Sequence, residues 1–293
     1  MRKFITILLL SCTVTMTAQL PASQLFHFSL SEAEGKYSVA KPRWLTQFNP
    51  TGYNNQPFFI NEDEIYVTVQ FPWDTTQTDI YSLNLATKIF TQVTNTPESE
   101  YSAKTIPESN EFSVVRVDAT PEKTQRLWRF PLNRSGTGKE VFKYQQGVGY
   151  YHWLNAKKAM MFIVEKPFNR MCITEVGTES SLRFDFLPGR SFATLSNGKV
   201  ACIEKPENGD AYVKVIDPQT YTSDYLIKTP PDSEDFVVTD NGTFLIGKGP
   251  YLYQFIPNKD QDWVQIANLR EFGIKKIERL ALNKSGDLIM VTK

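Results

Sequence analysis

Two histidines, His27 and His152, are the only imidazoles in this chain. Serine hydrolysis needs one histidine within reach of both a serine and a carboxylate. A Gly-x-Ser-x-Gly turn is one way to present that serine, and the sequence contains none. Ser135-Gly136-Thr137-Gly138-Lys139 has the Gly-Lys end of a phosphate loop. It lacks the leading glycine, and Glu140 stands where a Ser or Thr would hold magnesium, so it reads as a hairpin turn. Asp232-Ser233-Glu234-Asp235 is acidic but lacks the glycine of a calcium loop. Cys172 and Cys202 sit in apolar runs, RMCITEV and KVACIE, with no histidine at zinc-site spacing. They read as buried thiols, with a disulfide open in an oxidising compartment. No catalytic residue, metal site or cofactor is expected from these patterns.

The elements that carry these residues are β-strands. Short runs rich in Val, Ile, Phe and Tyr alternate with Gly, Asn, Asp and Pro throughout, which is an all-β pattern. The pattern repeats. NEDEIYVTV, ESNEFSVVR, NAKKAMMFI, SNGKVACIE, DNGTFLIGK and KSGDLIMVT each join a polar turn to a strand. Their first apolar residues are Ile65, Phe112, Ala159, Val200, Phe244 and Leu288, at spacings of 47, 47, 41, 44 and 44. A period near that length is a four-stranded propeller blade. Six units predict a six-bladed β-propeller over residues 19–293. The last unit has only two strands, Ile277 to Leu282 and Leu288 to Thr292. The runs Gln24 to Leu30 and Lys36 to Phe48 belong to no complete blade, so they are expected to complete the sixth and close the ring.

The first residues predict export. Arg2 and Lys3 precede the apolar run Phe4 to Leu10, then small and polar residues lead to Ala18-Gln19. This is the layout of a signal peptide over residues 1–18, cleaved after Ala18. The competing reading is a lipoprotein anchored at Cys12, because Leu9-Leu10-Ser11-Cys12 resembles a lipobox. The run is too short to span a bilayer, so no transmembrane segment is expected after cleavage. Lys+Arg and Asp+Glu both number 32. That balance gives no basic excess to attract nucleic acid.

The stretch TDIYSLNLATKIFTQVTN, residues 78–95, resembles the TolB-type, WD-like repeat of bacterial periplasmic propellers. Asp79, Ile80, Tyr81, Val93, Thr94 and Asn95 fit that repeat, and Gln56-Pro57-Phe58-Phe59 resembles its proline-containing inner strand. The resemblance covers residues 54–95 well and extends to about 144. It implies a propeller fold, an exported location, and binding or scaffolding more often than catalysis.

In a four-stranded blade the loops entering the first strand and joining the second to the third share one face. Here those loops carry Tyr53, Asn55, Trp73, Asp74, Tyr101, Tyr150, Tyr151, Arg170 and Arg190, and His152 follows in the inner-strand segment GYYHWLN, facing the channel. Tyr, Trp and Arg anchor interfaces because they bury much area at small entropic cost. A binding face for a protein, peptide or glycan of the cell envelope is therefore expected, with Trp73 and Tyr150 as anchors. The alternative is a propeller hydrolase or lyase, with a polar and possibly metal-containing channel that uses His152.

Overall fold

The computed structural model describes residues 20–207 and 209–293. The signal-peptide and Cys12 readings lie outside the described residues. The described chain forms six four-stranded antiparallel sheets arranged as the blades of a propeller. Blade 1 contains β3 (Tyr53–Phe59), β4 (Glu64–Gln70), β5 (Asp79–Asn84) and β6 (Phe90–Gln92). Blade 2 contains β7 (Ser99–Thr105), β8 (Glu111–Val117), β9 (Gln125–Pro131) and β10 (Lys139–Glu140). Blade 3 contains β11 (Val148–Asn155), β12 (Lys158–Ile163), β13 (Arg170–Glu175) and β14 (Ser181–Phe184). Blade 4 contains β15 (Pro188–Thr194), β16 (Val200–Glu204), β17 (Tyr212–Ile216) and β18 (Ser223–Lys228). Blade 5 contains β19 (Phe236–Val238), β20 (Phe244–Lys248), β21 (Tyr251–Phe255) and β22 (Val264–Asn268). Blade 6 takes β23 (Ile277–Leu282) and β24 (Asp287–Thr292) from one end of the chain, and β1 (Gln24–Ala33) and β2 (Lys36–Trp44) from the other.

Stacking explains the sequence pattern. The second strand of each blade is sandwiched between neighbouring blades, so both of its faces are apolar, as in sheets covered on both sides. The six residues that set the period, Ile65, Phe112, Ala159, Val200, Phe244 and Leu288, all lie there and are all essentially inaccessible. The fourth strands lie at the rim. In β18 the run Ser223–Lys228 is exposed or half-buried throughout. The core is accordingly divided into six apolar clusters, one at each blade interface. Leu25, Ile289 and Val291 of blade 6 meet Ile65, Val67 and Leu83 of blade 1 in one cluster. Phe28, Leu288 and Met290 meet Leu245 and Leu252 of blade 5 in another.

Ring closure follows the expected route. β1 lies antiparallel to β24, from Gln24 opposite Thr292 to Ser29 opposite Asp287. The Nε2 of His27 meets the Oδ1 of Asp287 at 2.6 Å, tying the two ends together. The turn between β23 and β24 reaches the same strand, since the Leu30 amide donates to the Gly286 carbonyl at 2.7 Å. Gly286 has φ of 84°, and a side chain there would meet the Leu30 carbonyl at 2.8 Å. Only glycine suits that conformation and that contact.

Several positions expected in loops lie in strands. Tyr53, Asn54 and Asn55 belong to β3, where Asn54 is sealed by Ser23 and Asn49, while Tyr101, Tyr150, Arg170 and Arg190 lie in β7, β11, β13 and β15. The side-chain amide of Asn54 donates to the Ser23 carbonyl at 2.8 Å and to the Asn49 carbonyl at 2.9 Å. The outer strand of blade 2 stops at Glu140. There the amides of Lys143, Tyr144 and Gln145 donate to the Glu179 carboxylate at 2.6 to 3.0 Å, so none is left for a ladder.

The closing strand is expected to be as essential as any interior strand. Phe28→Ala should cost about 3–5 kcal/mol, the usual range for emptying a fully buried aromatic site. Deletion of residues 20–48 should leave an open ring that aggregates. Chemical denaturation followed by tryptophan fluorescence measures both. An unchanged midpoint for the deletion variant would show that blade 6 does not need its N-terminal half.

Candidate functional site

The six inner strands converge on a central channel. Along the middle of these strands, a cavity of about 300 Å³ is lined by residues from all six blades. Four positions read from the sequence meet in it: Tyr150, Tyr151 and His152 on β11, and Arg190 on β15. Lys104 on β7, Asp235 just before β19, and Arg279 on β23 join them. Sequence reasoning did not single out Lys104 or Arg279, and it treated Asp235 as part of an acidic turn. Phe59, Val238 and Leu282 line this cavity and also one opening on the opposite face, so they form an apolar collar between the two.

Asp235 organises the charges. Its Oδ2 lies 3.6 Å from Arg190 and 3.5 Å from Arg279, and its Oδ1 accepts the Leu280 amide at 2.9 Å. Burial pushes its carboxyl above the usual carboxylate range, and the two guanidiniums pull the other way. Arg279 also donates to the Tyr150 hydroxyl at 3.2 Å and stands over its ring. Arg190 donates to the Glu278 carbonyl at 2.8 Å and lies 3.8 Å from Glu234, while its Nε is buried without a hydrogen bond. Lys104 stands 5.7 Å over the Tyr151 ring. Burial lowers its ammonium pKa to about 8.

His152 is held neutral. Its Nε2 contacts the Thr194 hydroxyl at 2.7 Å, and its ring stacks on Phe192. Burial, with the Lys104 charge as a smaller cause, depresses its pKa to about 3. A hydroxyl and an apolar ring are its neighbours, rather than the carboxylate that would orient a catalytic base. Among the described residues no group of three His, Cys, Asp or Glu side chains stands where it could share a metal ion.

Tyr151 is also a core residue: it is 1% exposed, and its hydroxyl donates to the carbonyls of Ser102 and Ser113 at 2.8 and 2.7 Å. Both tyrosines border the channel cavity, but the pleat turns them to opposite faces of blade 3: Tyr150 packs toward blade 4 beside Phe162, and Tyr151 between blades 2 and 3. The remaining expected positions fall elsewhere. Tyr53 is buried, and its hydroxyl feels Arg279, Tyr150, Tyr101 and Arg190, so it backs the channel rim. Tyr101 is half-buried beside it, and Asn55 is buried with its side chain turned to the Gln56 amide at 2.8 Å. Trp73, 76% exposed, does not line the channel. It ends a run of ring contacts, stacked except for the edge-on Phe71–Tyr81 pair, through Phe71, Tyr81 and Phe90 to Phe48, which carries it to the outer flank of blade 1. Asp74 stays in the same loop, accepting from Thr76. Arg170 is exposed and paired with Glu165. The loop just before it, Pro167-Phe168-Asn169, borders a groove that also includes Leu187, Pro188 and Glu234. Tyr150 and Arg190 line both that groove and the channel cavity. Cys172 and Cys202 are free buried thiols, and burial pushes Cys202 up to about 12.

Solved structures share this architecture. A putative TolB from Agrobacterium tumefaciens superposes with a TM-score of 0.66 at 9% identity, over 92% of this chain and 98% of its own. TolB from Acinetobacter baumannii gives 0.56 at 12% identity, over 92% of this chain and 64% of its own. A puromycin-hydrolyzing peptidase from Mycobacterium tuberculosis gives 0.55 at 13% identity, over 82% of this chain and 44% of its own. This chain therefore spans less than two thirds of the length of the last two. An oligogalacturonate lyase from Vibrio parahaemolyticus gives 0.51 at 10% identity. No family model and no curated protein matches the sequence. The chain has the TolB-like six-bladed propeller fold, a fold shared here by proteins with different activities, so activity must be argued from the site.

The site and its surroundings should make stability depend on pH in two opposite ways. His152 has a depressed pKa, so its contribution is present above its ordinary value of 6.5 and lost as pH falls toward about 3. Glu100, inaccessible at the start of β7, is pushed up to about 7 by burial, with the Asp79 charge adding to the rise. Its contribution is present below the ordinary 4.5 and lost as pH rises through about 7. The two windows overlap between pH 4.5 and 6.5, where the opposite slopes offset, so stability should be highest there and fall on either side. Each flank is on the order of 1–2 kcal/mol, with the His152 share reduced by channel water. His152→Gln should flatten the acid flank and Glu100→Gln the alkaline one. Urea denaturation from pH 4 to pH 8 measures this, and parallel curves for all three proteins would refute both assignments.

Proposed function

We propose that this chain is an exported, non-catalytic binding propeller of the bacterial envelope. It recognises a protein, peptide or glycan partner through the face where the inner strands begin. The observation that carries the reading is the continuity between the channel cavity and the groove beside Phe168, joined by Tyr150 and Arg190. Phe168 is 55% exposed at the groove edge, next to Pro167 and across from Leu187 and Pro188. A partly apolar groove that leads into a charged chamber can take an extended segment of a partner. The neutral His152 and its neighbours support binding over proton transfer, since a general base needs a pKa nearer the working pH. The export half of the proposal rests on Arg2, Lys3, the run Phe4 to Leu10 and the Ala18-Gln19 boundary.

The test is affinity capture from envelope extract with tagged protein made from its own full gene. The mature chain should begin at Gln19, and an intact Met1 or a lipid on Cys12 would overturn that part. Phe168→Ala and Tyr150→Ala should each weaken capture of the same partner by about 2 kcal/mol or more, as anchor residues do. Trp73→Ala, on the outer flank of blade 1, should leave it unchanged. Loss of capture with Trp73→Ala alone would move the interface off the channel.

A further inference from the structure

The geometry points to an anion subsite inside the channel chamber that takes a carboxylate of a peptide ligand, held by Lys104, Arg190 and Arg279. This inference rests on the binding reading above and specifies what the chamber recognises.

The chamber has more cationic groups than its own acid can satisfy. Lys104, Arg190 and Arg279 line it, Asp235 is the only carboxylate lining it among the described residues, and His152 is neutral. Glu234 lies 3.8 Å from Arg190 but is itself paired with Lys205 at 3.1 Å, so positive charge remains in excess. Neither guanidinium contact to Asp235 is shorter than 3.5 Å, whereas a saturated charge-assisted hydrogen bond is about 2.7–2.9 Å. The buried Nε of Arg190 has no hydrogen bond at all. Lys104 has no ion pair or side-chain hydrogen bond among the described residues; it stands over the Tyr151 ring and feels the Asp235 charge at a distance. Half-buried cations left in this state bear part of the desolvation cost unless something completes them. The depressed pKa of Lys104 expresses the same cost.

The chemistry of the missing partner follows from its surroundings. It is an anion, and the low dielectric of an enclosed chamber strengthens its attraction. Asp235 inside the cluster already meets part of this positive field, and Glu234 at its mouth is paired with Lys205 at 3.1 Å. On an unmodified peptide the anion that completes the cluster is a carboxylate. The apolar collar of Phe59, Val238 and Leu282 narrows the far side, which suits a group entering from the groove. The groove edges, Pro167, Phe168, Leu187 and Pro188, are apolar and match peptide side chains better than sugar hydroxyls. The carboxylate can come from a chain terminus or from an Asp or Glu side chain.

Two randomised N-acetylated hexapeptide libraries, one with free C-terminal carboxylates and one amidated, test this by affinity selection on the purified protein with mass-spectrometric readout. Enrichment of the acid library at least tenfold over the amide library assigns the chain terminus. Enrichment of Asp- or Glu-containing members of the amide library assigns the side chain. Either result supports the subsite. Lys104→Met should then abolish at least nine tenths of the enrichment, and Lys104→Arg should retain most of it. Should Lys104→Met fail to fold, the acid and amide comparison on the unaltered protein decides alone. Equal enrichment of amidated peptides without acidic residues would overturn the carboxylate subsite while leaving a peptide-binding face. Selection of nothing from either library would also overturn it, with envelope capture remaining as the separate test of binding.

Discussion

No blade of this protein can bury itself. Each is a sheet whose middle strands are apolar on both faces, and each face is covered only by the next blade. The six clusters between blades are therefore mutually dependent, and the ring holds together as a whole. A sheet of this kind left at the end of an open array would expose an apolar face as well as a strand edge. The pairing of β1 with β24 removes that end, and the contact of His27 with Asp287 secures the pairing at 2.6 Å.

The same geometry makes the channel chemically distinct from the core. Blades pack tightly near their middles, but their inner strands only approach one another around the axis. Side chains there see neighbours from several blades at once and keep some water. Charged residues can be placed where a conventional core would reject them, provided they are paired. Asp235 provides part of that pairing for two arginines from the flanking blades, Arg190 from blade 4 and Arg279 from blade 6.

The fold was readable because its signals are local and repeated. Turn chemistry followed by a doubly apolar strand, at a spacing near 45 residues, identified the blades, and the unpaired runs at the two ends predicted the closure. The channel was harder to read because its neighbours are distant in sequence. Lys104, Asp235 and Arg279 lie on three blades, and no short motif joins them. Asp235 in particular looked like one member of an exposed acidic turn until the ring placed it between two guanidiniums. Tyr150 and Tyr151 show the finer limit. Their types are identical, and only the pleat decides which one turns toward blade 4 and which is sealed among Ser102 and Ser113 toward blade 2. Trp73 was assigned to the correct loop, but the stack on Phe71 turned it away from the channel.

The closure by chain ends also sets the order of events during biosynthesis. β1 leaves the ribosome before the other described strands, and the strand it must join, Asp287–Thr292, after them. Throughout elongation the N-terminal hairpin has no permanent partner, and its apolar residues Leu25 and Phe28 wait in an unfinished molecule. Contacts this far apart in sequence form slowly, because the whole intervening loop must be ordered before they bring any gain. Such a nascent chain is a natural client for a holdase chaperone, and a translational pause before the last blade would lengthen its exposure.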